Sequence, residues 1–374
     1  MKSQERGAIN VLKEYKMKIK NLLFFLLAYA MVITVLSVPA MALQEQQPSQ
    51  QKPVIIIPPE VKTVLEQGME TREARLDIPF NIVEHLYLPA AQNLHSIFLF
   101  KFINSDLGFA PLTPAVETEK KEETQSSFEE VPAMLQARSH LFMLFTQLDG
   151  TFSREVYVPV RVQIEGGSYE PEKEEIYSVG YPLPPGNYLL SIAVASQKLE
   201  KIGTQYFEFT LPDPLSYTTD LGTTPIFFVK SVERIPSPEV RTEVHKDFFI
   251  YSILKMVPNL EHVFTAGENL DIFFVIFGAQ PDETQKYDIE ITYEVVQGEE
   301  KMIRYAPQKY ENPLVSQPLP LTRTVIIKTT DEEGNTTEKK ETRDLEPGIY
   351  TFSLDIKDNI SGKQLLKTIE FEVK

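Results

Sequence analysis

A stretch close to the end of the chain repeats an earlier one without a gap. Residues 185–211 align with 347–373, with seven of 27 positions identical and most others keeping their apolar or polar character. A match of that length at constant spacing predicts two copies of one folding unit, each closing with the same pair of strands. It constrains architecture and says nothing of activity.

Within the repeat, Leu183-Pro184-Pro185-Gly186-Asn187-Tyr188 corresponds to Leu345-Glu346-Pro347-Gly348-Ile349-Tyr350. A Pro-Gly turn feeds a strand whose first large residue is tyrosine. That pattern resembles the tyrosine corner of immunoglobulin- and fibronectin-like domains, in which the hydroxyl bonds back to the backbone. Tyr188, Tyr350, Gly186 and Gly348 are therefore the expected structural residues of the two corners. Beyond each corner, apolar residues alternate with polar ones: Phe352, Leu354 and Ile356 against Ser353, Asp355 and Lys357, while Leu190, Ile192 and Val194 fill the apolar face of the first copy. Strands with one apolar face bury it most readily between two facing sheets. The expected fold is all-β: two tandem immunoglobulin/fibronectin-like β-sandwich domains after an N-terminal signal peptide, with a closed barrel as the competing architecture.

The leader is read from three consecutive features. Met17-Lys18-Ile19-Lys20-Asn21 is basic, residues 22–38 are apolar, and Ala40-Met41-Ala42 gives a small-x-small site. This order predicts a secretory signal peptide over 1–42, with Met17 as an alternative start. An uncleaved anchor is the other reading of so long an apolar run, and the chain's sole expected membrane attachment. The formal charge is −16, and removing the leader's six Lys/Arg and two Glu, a net +4, leaves −20 on positions 43–374. Such a surface repels phosphate backbones, so no nucleic-acid partner is expected. The absence of Cys excludes disulfides, thiolate metal sites and a cysteine nucleophile. The expected location is periplasm, cell surface or medium.

The domain plan follows. Residues 43–70, opening on the Gln-rich run 44–51, read as a low-complexity linker. Residues 71–215 form the first sandwich, with an acidic insertion near 111–132. Residues 216–374 form the second, including a bridging strand around Ile226-Phe227-Phe228-Val229. Strands are expected at 75–83, 95–103, 138–148, 151–164, 187–196 and 204–211. In the second copy they fall at 226–234, 247–256, 270–277, 287–296, 321–330, 336–343, 349–357 and 365–373. A hairpin turns at Asp149-Gly150, and a helical turn is expected at 134–138. The copies resemble each other a second time, Asn93-Leu94-His95-Ser96-Ile97-Phe98 against Asn269-Leu270-Asp271-Ile272-Phe273, at a slightly larger offset. The unbroken apolar runs 270–277 and 248–254 predict burial on both faces, at an interface between the two units or in a homodimer.

A family resemblance rests on Phe264-Thr265-Ala266-Gly267-Glu268-Asn269-Leu270-Asp271-Ile272-Phe273-Phe274, Phe277-Gly278, residues 345–350 and the closing Phe371-Glu372-Val373. Together these resemble the β-sandwich regions of exported bacterial proteins that accompany GWxTD domains. The naming motif is absent, since the chain has no Trp. The resemblance implies an envelope or secreted role and no defined active site.

Local chemistry is sparse. His85, His95, His140, His245 and His262 form no His-x-x-x-His or His-Glu-x-x-His pattern. There is no Gly-x-Ser-x-Gly elbow, Walker loop or dinucleotide fingerprint. Residues 331–335 lack the alternating ligands of a calcium loop. No catalytic residue, metal ligand or cofactor is assigned. The segment 306–320 reads as a long irregular loop, and with Tyr305 it supplies the candidate binding residues Tyr305, Tyr310, Pro313 and Pro318. Tyr169, Tyr177 and Tyr181 form a looser group in the first copy. The expected function is an exported, non-catalytic interaction or scaffold module with a protein or glycan partner. A carbohydrate-binding accessory protein using exposed aromatics is the alternative, and a secreted hydrolase the third reading.

Overall fold

The computed structural model describes residues 56–112, 134–330 and 336–374. The expected leader, the Gln-rich run, most of the expected acidic insertion and residues 331–335 lie outside the described residues. The described chain is all-β, with one α-helix, α1 (Pro59–Met69). The first ten strands are β1 (Phe80–Ala90), β2 (Asn93–Ile103), β3 (Ala110–Pro111), β4 (Met134–Gln136), β5 (Ser139–Gln147), β6 (Ser153–Val160), β7 (Gln163–Glu165), β8 (Glu174–Leu183), β9 (Gly186–Ser196) and β10 (Ile202–Leu211). There follow β11 (Gly222–Thr223), β12 (Phe227–Arg234), β13 (Val244–Lys246), β14 (Phe249–Tyr251), β15 (Leu254–Pro258), β16 (Val263–Phe264) and β17 (Asn269–Phe277). The last are β18 (Ile289–Gln297), β19 (Glu300–Arg304), β20 (Gln308–Tyr310), β21 (Leu314–Pro320), β22 (Thr322–Thr330), β23 (Thr336–Asp344), β24 (Gly348–Asp358) and β25 (Gln364–Val373).

The repeat read from the sequence is a repeat of structure. The numbering shift that carries 185–211 onto 347–373 carries β9 and β10 onto β24 and β25, and the registers agree: Tyr188 faces Phe209, and Tyr350 faces Phe371. Each pair extends into an equivalent sheet, ordered β10-β9-β5-β6 in one half and β25-β24-β18-β19 in the other. The second layers also correspond. β1-β2-β8 in the first half matches β12-β17-β21 in the second, and β2 and β17 start at the two matching asparagines, Asn93 and Asn269.

The continuous apolar run of β17 has a direct structural cause. Alternate residues of a strand point to opposite faces. Leu270, Ile272, Phe274 and Ile276 enter the core of the second half, with Tyr293, Tyr350 and Phe352. Phe273, Val275 and Phe277 enter the core of the first, with Phe98, Phe145 and Tyr188. β12 divides likewise, Phe228 to one side and Phe227 and Val229 to the other. Of the two explanations for the run, the contact between halves is the one the fold uses.

Other expectations are corrected. Residues 43–70 are not linker throughout. Pro59 opens α1, and Val61 and Leu65, one turn apart, bury against Phe142, Leu144, Ala193 and Ala195 on the outer face of the β5 and β9 sheet. Lys62 fastens the helix to Glu155 of β6 at 2.7 Å. The expected strand at 75–83 begins later, at Phe80. Residues before it lie along the edge of β10, where Thr204 N donates to Arg75 O at 2.9 Å. Residues 134–138 hold strand β4 instead of a helical turn, and 151–164 is broken into β6 and β7. The expected strand at 247–256 is a hairpin of β14 and β15, turning at Ser252 with φ of 55°. β8, where no strand was expected, opens on Glu174-Glu175 and is an inner strand between β2 and β13. The boundary at 215/216 is crossed as well, because β13 pairs with β8 of the first half.

Candidate functional site

Both corners hold the expected hydrogen bond. Tyr188 Oη donates to Pro184 O at 2.8 Å, and Tyr350 Oη donates to Glu346 O at 2.7 Å. A third participant escaped the sequence reading. Gln147, at the end of β5, donates from Nε2 to Pro185 O and to Tyr188 Oη, each at 3.1 Å. Gln297 ends β18 in the equivalent place. A Cβ on Gly186 would lie 2.2 Å from the Gln147 amide nitrogen, and one on Gly348 would lie 2.8 Å from that of Gln297. The glycine of each corner therefore makes room for a glutamine. The shared signal was a Gln just before each turn, at Gln147-Leu148-Asp149-Gly150 and Gln297-Gly298. Tyr350→Phe should lose about 1–2 kcal/mol, because Glu346 O forfeits its partner. Tyr188→Phe should lose at least as much, since Gln147 forfeits its acceptor too. Urea unfolding midpoints of the two variants against the parent measure this.

The proposed binding loop is not irregular. Residues 308–310 form β20 on β18, and 314–320 form β21 on β17. Tyr305 donates to Pro320 O at 2.8 Å. Tyr310 Oη shares a 2.7 Å hydrogen bond with the buried Tyr293 and donates to Gln317 Oε1 at 3.1 Å. Burial raises both the Tyr305 and Tyr310 hydroxyls above the ordinary phenol range. Pro318 sits in β21 opposite Asp271, and Pro313 just precedes that strand. Both tyrosine hydroxyls are thus taken up within the fold, while Pro318 is exposed. In the first half Tyr177 is fully buried and donates to Asn104 Oδ1 at 2.8 Å, while Tyr181 accepts from Arg154 at 2.9 Å.

A cleft of about 580 Å³ opens where residues 239–252 fold back onto β2 and β8. One wall is Pro89, His95, Gly180 and Tyr181. The other is Glu239, Val240, Arg241, His245 and Tyr251. β13 builds this wall by pairing with β8, Val244 opposite Val179 and His245 opposite Ser178. Glu175 secures the pairing. Burial pushes its carboxyl pKa up, but hydrogen bonds from Lys173, Lys246 and Asn104 outweigh that and hold it below the usual carboxylate range. Both lysine Nζ atoms lie 3.1 Å from its carboxylate. Tyr251 Oη donates to Pro89 O at 2.6 Å and closes the far end.

The cleft's polar groups are few. His245 Nε2 lies 3.0 Å from Glu239 Oε1, and its ring stacks on Phe248. Burial holds His95 below the ordinary imidazole value, with an opposing hydrogen bond to the Ile250 backbone. Its ring occupies the space a Cβ on Gly180 would need, 2.3 Å from Nε2. Ser178 Oγ is committed to Phe248 O at 2.6 Å, so it is not offered as a nucleophile. Val240 on the rim is 96% exposed. A carboxylate–imidazole pair, a guanidinium and an apolar rim thus line the cleft. The sequence did not mark this site, because residues 90, 180 and 245 are far apart in the chain and meet through tertiary pairing, chiefly of β13 with β8.

The other histidines serve structure. His85 lies between Phe98 and Phe209, with ring centroids at 4.7 and 4.5 Å, and burial drives its pKa down to about 4. His140 pairs with Tyr157 Oη at 3.0 Å, and His262 packs edge-on against Phe228. Among the described residues no three His, Asp or Glu converge to hold a metal, and no helix is long and apolar enough to cross a membrane.

No protein-family model and no curated protein matches this sequence. Solved structures give distant likenesses. Dimeric latent PorU from Porphyromonas gingivalis aligns over 85% of this chain and 21% of its own, at 11% identity and a TM-score of 0.27. Salmonella alpha-2-macroglobulin reacted with methylamine aligns over 81% of this chain and 17% of its own, at 11% identity and a TM-score of 0.15. The chain thus spans about a fifth of the length of either protein, and TM-scores this low do not define a common fold.

Proposed function

We propose that the chain is an exported interaction or scaffold module of the periplasm or cell envelope, built from two fibronectin-like sandwiches, and that it works by binding and not by catalysis. The observation that carries this reading is the shared core. Phe227, Val229, Phe273, Val275 and Phe277 of the second half are packed into the hydrophobic core of the first. Domains joined by a simple linker move independently by default, whereas an apolar interface fixes their geometry. Two sandwiches held in fixed relation suit a spacer or platform whose surfaces must keep a set distance. The strands common to both halves, three in one layer and four in the other within larger sheets, with a tyrosine corner at the start of β9 and β24, support the fibronectin-like count. The basic, apolar and small-residue order of 17–42 supports export. Kinship with the sandwich regions that accompany GWxTD domains is part of the same proposal.

The test is expression of the full chain from its own leader with a C-terminal tag, fractionation, and cross-linking in intact cells. Recovery from the envelope or medium as a defined cross-linked complex is the expected result. Recovery only from cytosol, or as a free monomer with hydrolytic turnover, overturns the reading.

A further inference from the structure

The hairpin β22–β23 belongs to none of the larger sheets. Its register runs from Thr322 opposite Asp344 to Thr330 opposite Thr336. A two-stranded ribbon is marginal in water unless something adds to it. Among the described residues β22 has β23 on one side and no strand hydrogen-bonded to the other.

The edges of this molecule differ in how they are guarded. β6 carries Pro159 and β21 carries Pro318 and Pro320, which interrupt the donors that an added strand needs. β23 carries Glu338, Lys339, Lys340, Glu341 and Arg343, and charge is the other common guard. β22 is less guarded: it has no proline, and its two cations, Arg323 and Lys328, are paired with Glu346 and Glu338 and flank the uncharged run 324–327. Its sequence is Thr-Arg-Thr-Val-Ile-Ile-Lys-Thr-Thr, with seven β-branched residues in nine and no proline, and Ile326 is 51% exposed. Such a strand is a template for pairing.

We propose that β22 pairs antiparallel with β22 of a second copy across a two-fold axis at Ile326. The choice of occupant comes from the strand's own pattern. A two-fold axis normal to a sheet sets residues of one face opposite each other, so it must pass through a residue. Centred on Ile326, all nine residues overlap, Val325 meets Ile327 twice, and Thr324 meets Lys328. β-Branched pairs of this kind stabilise a sheet, and neither cation meets a like charge. Centred on Ile327, Ile326 would meet Lys328; centred on Val325, Thr322 would meet Lys328 and residues 329–330 would find no partner. β23 offers no equivalent, because centring it on Lys339, Lys340 or Glu341 sets like charges face to face. The chain's formal charge of −16 opposes approach of two copies, so the pairing strengthens as salt screens that repulsion. This inference rests on the hairpin alone and does not depend on the scaffold reading.

The test is sedimentation velocity of the full chain at low and high salt, with variants at position 326. The parent should show a dimer fraction that rises with salt. Ile326→Lys and Ile326→Asp should each weaken association at least about tenfold, and mixing the two should restore it by setting Lys against Asp across the axis. Lysine at 326 also meets Lys340 within its own hairpin, so a cross-link gives an independent reading. The chain has no Cys, and directly opposed residues of antiparallel strands lie within disulfide reach. Ile326→Cys should form a disulfide-linked dimer at least about ten times faster than Lys340→Cys on the guarded strand. A parent that stays monomeric at all salt concentrations, a mixture that does not restore association, or equal cross-linking at 326 and 340 each overturns the proposal.

Discussion

Replacing Phe273 by alanine should cost about 3–5 kcal/mol, the range for emptying a buried phenylalanine site, and should uncouple the two halves. Phe273 has no exposed surface and lies on the side of β17 that faces the first half. Its ring packs 5.6 Å from Phe227 and 6.5 Å from Tyr251, centroid to centroid. The core on the other side of β17, with Leu270, Ile272 and Phe274, is untouched by the substitution. The parent is therefore expected to unfold in urea in one transition, and Phe273→Ala in two, the first at a clearly lower midpoint. A single transition displaced by less than about 1 kcal/mol would mean that the shared core does not couple the halves.

Acidification should destabilise the protein between pH 6.5 and about 4 through His85. Burial keeps this imidazole neutral in the folded state down to about 4, whereas an unfolded chain takes up the proton near 6.5. Across that interval the unfolded state binds more protons, so stability is full above it and is lost as pH falls through it. The expected contribution is about 2–3 kcal/mol, reduced from the full shift because the ring is not wholly sealed. His85→Phe places an apolar ring among Phe98, Phe207 and Phe209 and removes the buried, unpartnered Nε2. That variant should match or exceed the parent at pH 7.5 and lack the loss on titration toward 4.5. The Glu175 pairing acts in the same direction but at lower pH, because its carboxyl is held below the usual range and gives up its contribution only as that lower value is crossed. An unchanged slope in His85→Phe would place the acid sensitivity elsewhere.

Elements governed by local pattern were legible in the sequence. The constant offset of the repeat predicted β9, β10, β24 and β25 as two matching strand pairs, because a Pro-Gly-x-Tyr turn fixes where β9 and β24 start. The double-sided burial of β17 was legible too, since an apolar run without alternation leaves no solvent face. Elements whose character comes from distant partners were missed. β8 begins on Glu174-Glu175, which reads as solvent until Lys173 and Lys246 are brought to the carboxylate. α1 offers only a short apolar stripe, Val61 and Leu65 with Val64 and Met69 partly buried beside them, too little to announce a helix without the apolar outer face of β5 and β9 beneath it. Tyr305 and Tyr310 looked like ligand contacts because nothing local showed that Pro320 and Tyr293 would occupy their hydroxyls. The cleft was invisible for the same reason. Its walls come from well-separated segments, 89–95 and 178–182 on one side and 239–252 on the other, brought together by the short strand β13 and by the hydrogen bonds of Tyr251 and Ser178.

The crossing of β13 onto β8 also limits how this duplication can be taken apart. A fragment ending at Leu211 retains every strand of the first repeat, yet it bares Ile97 and Leu99 and leaves β8 without one neighbour. A fragment starting at Gly222 keeps the second repeat and strips the cover from Phe227, Phe273 and Phe277. Shuffling a single copy into another chain would therefore carry an open wound of apolar surface with it. The repeat is a unit of sequence and strand order, whereas the buried apolar surface is shared by both copies.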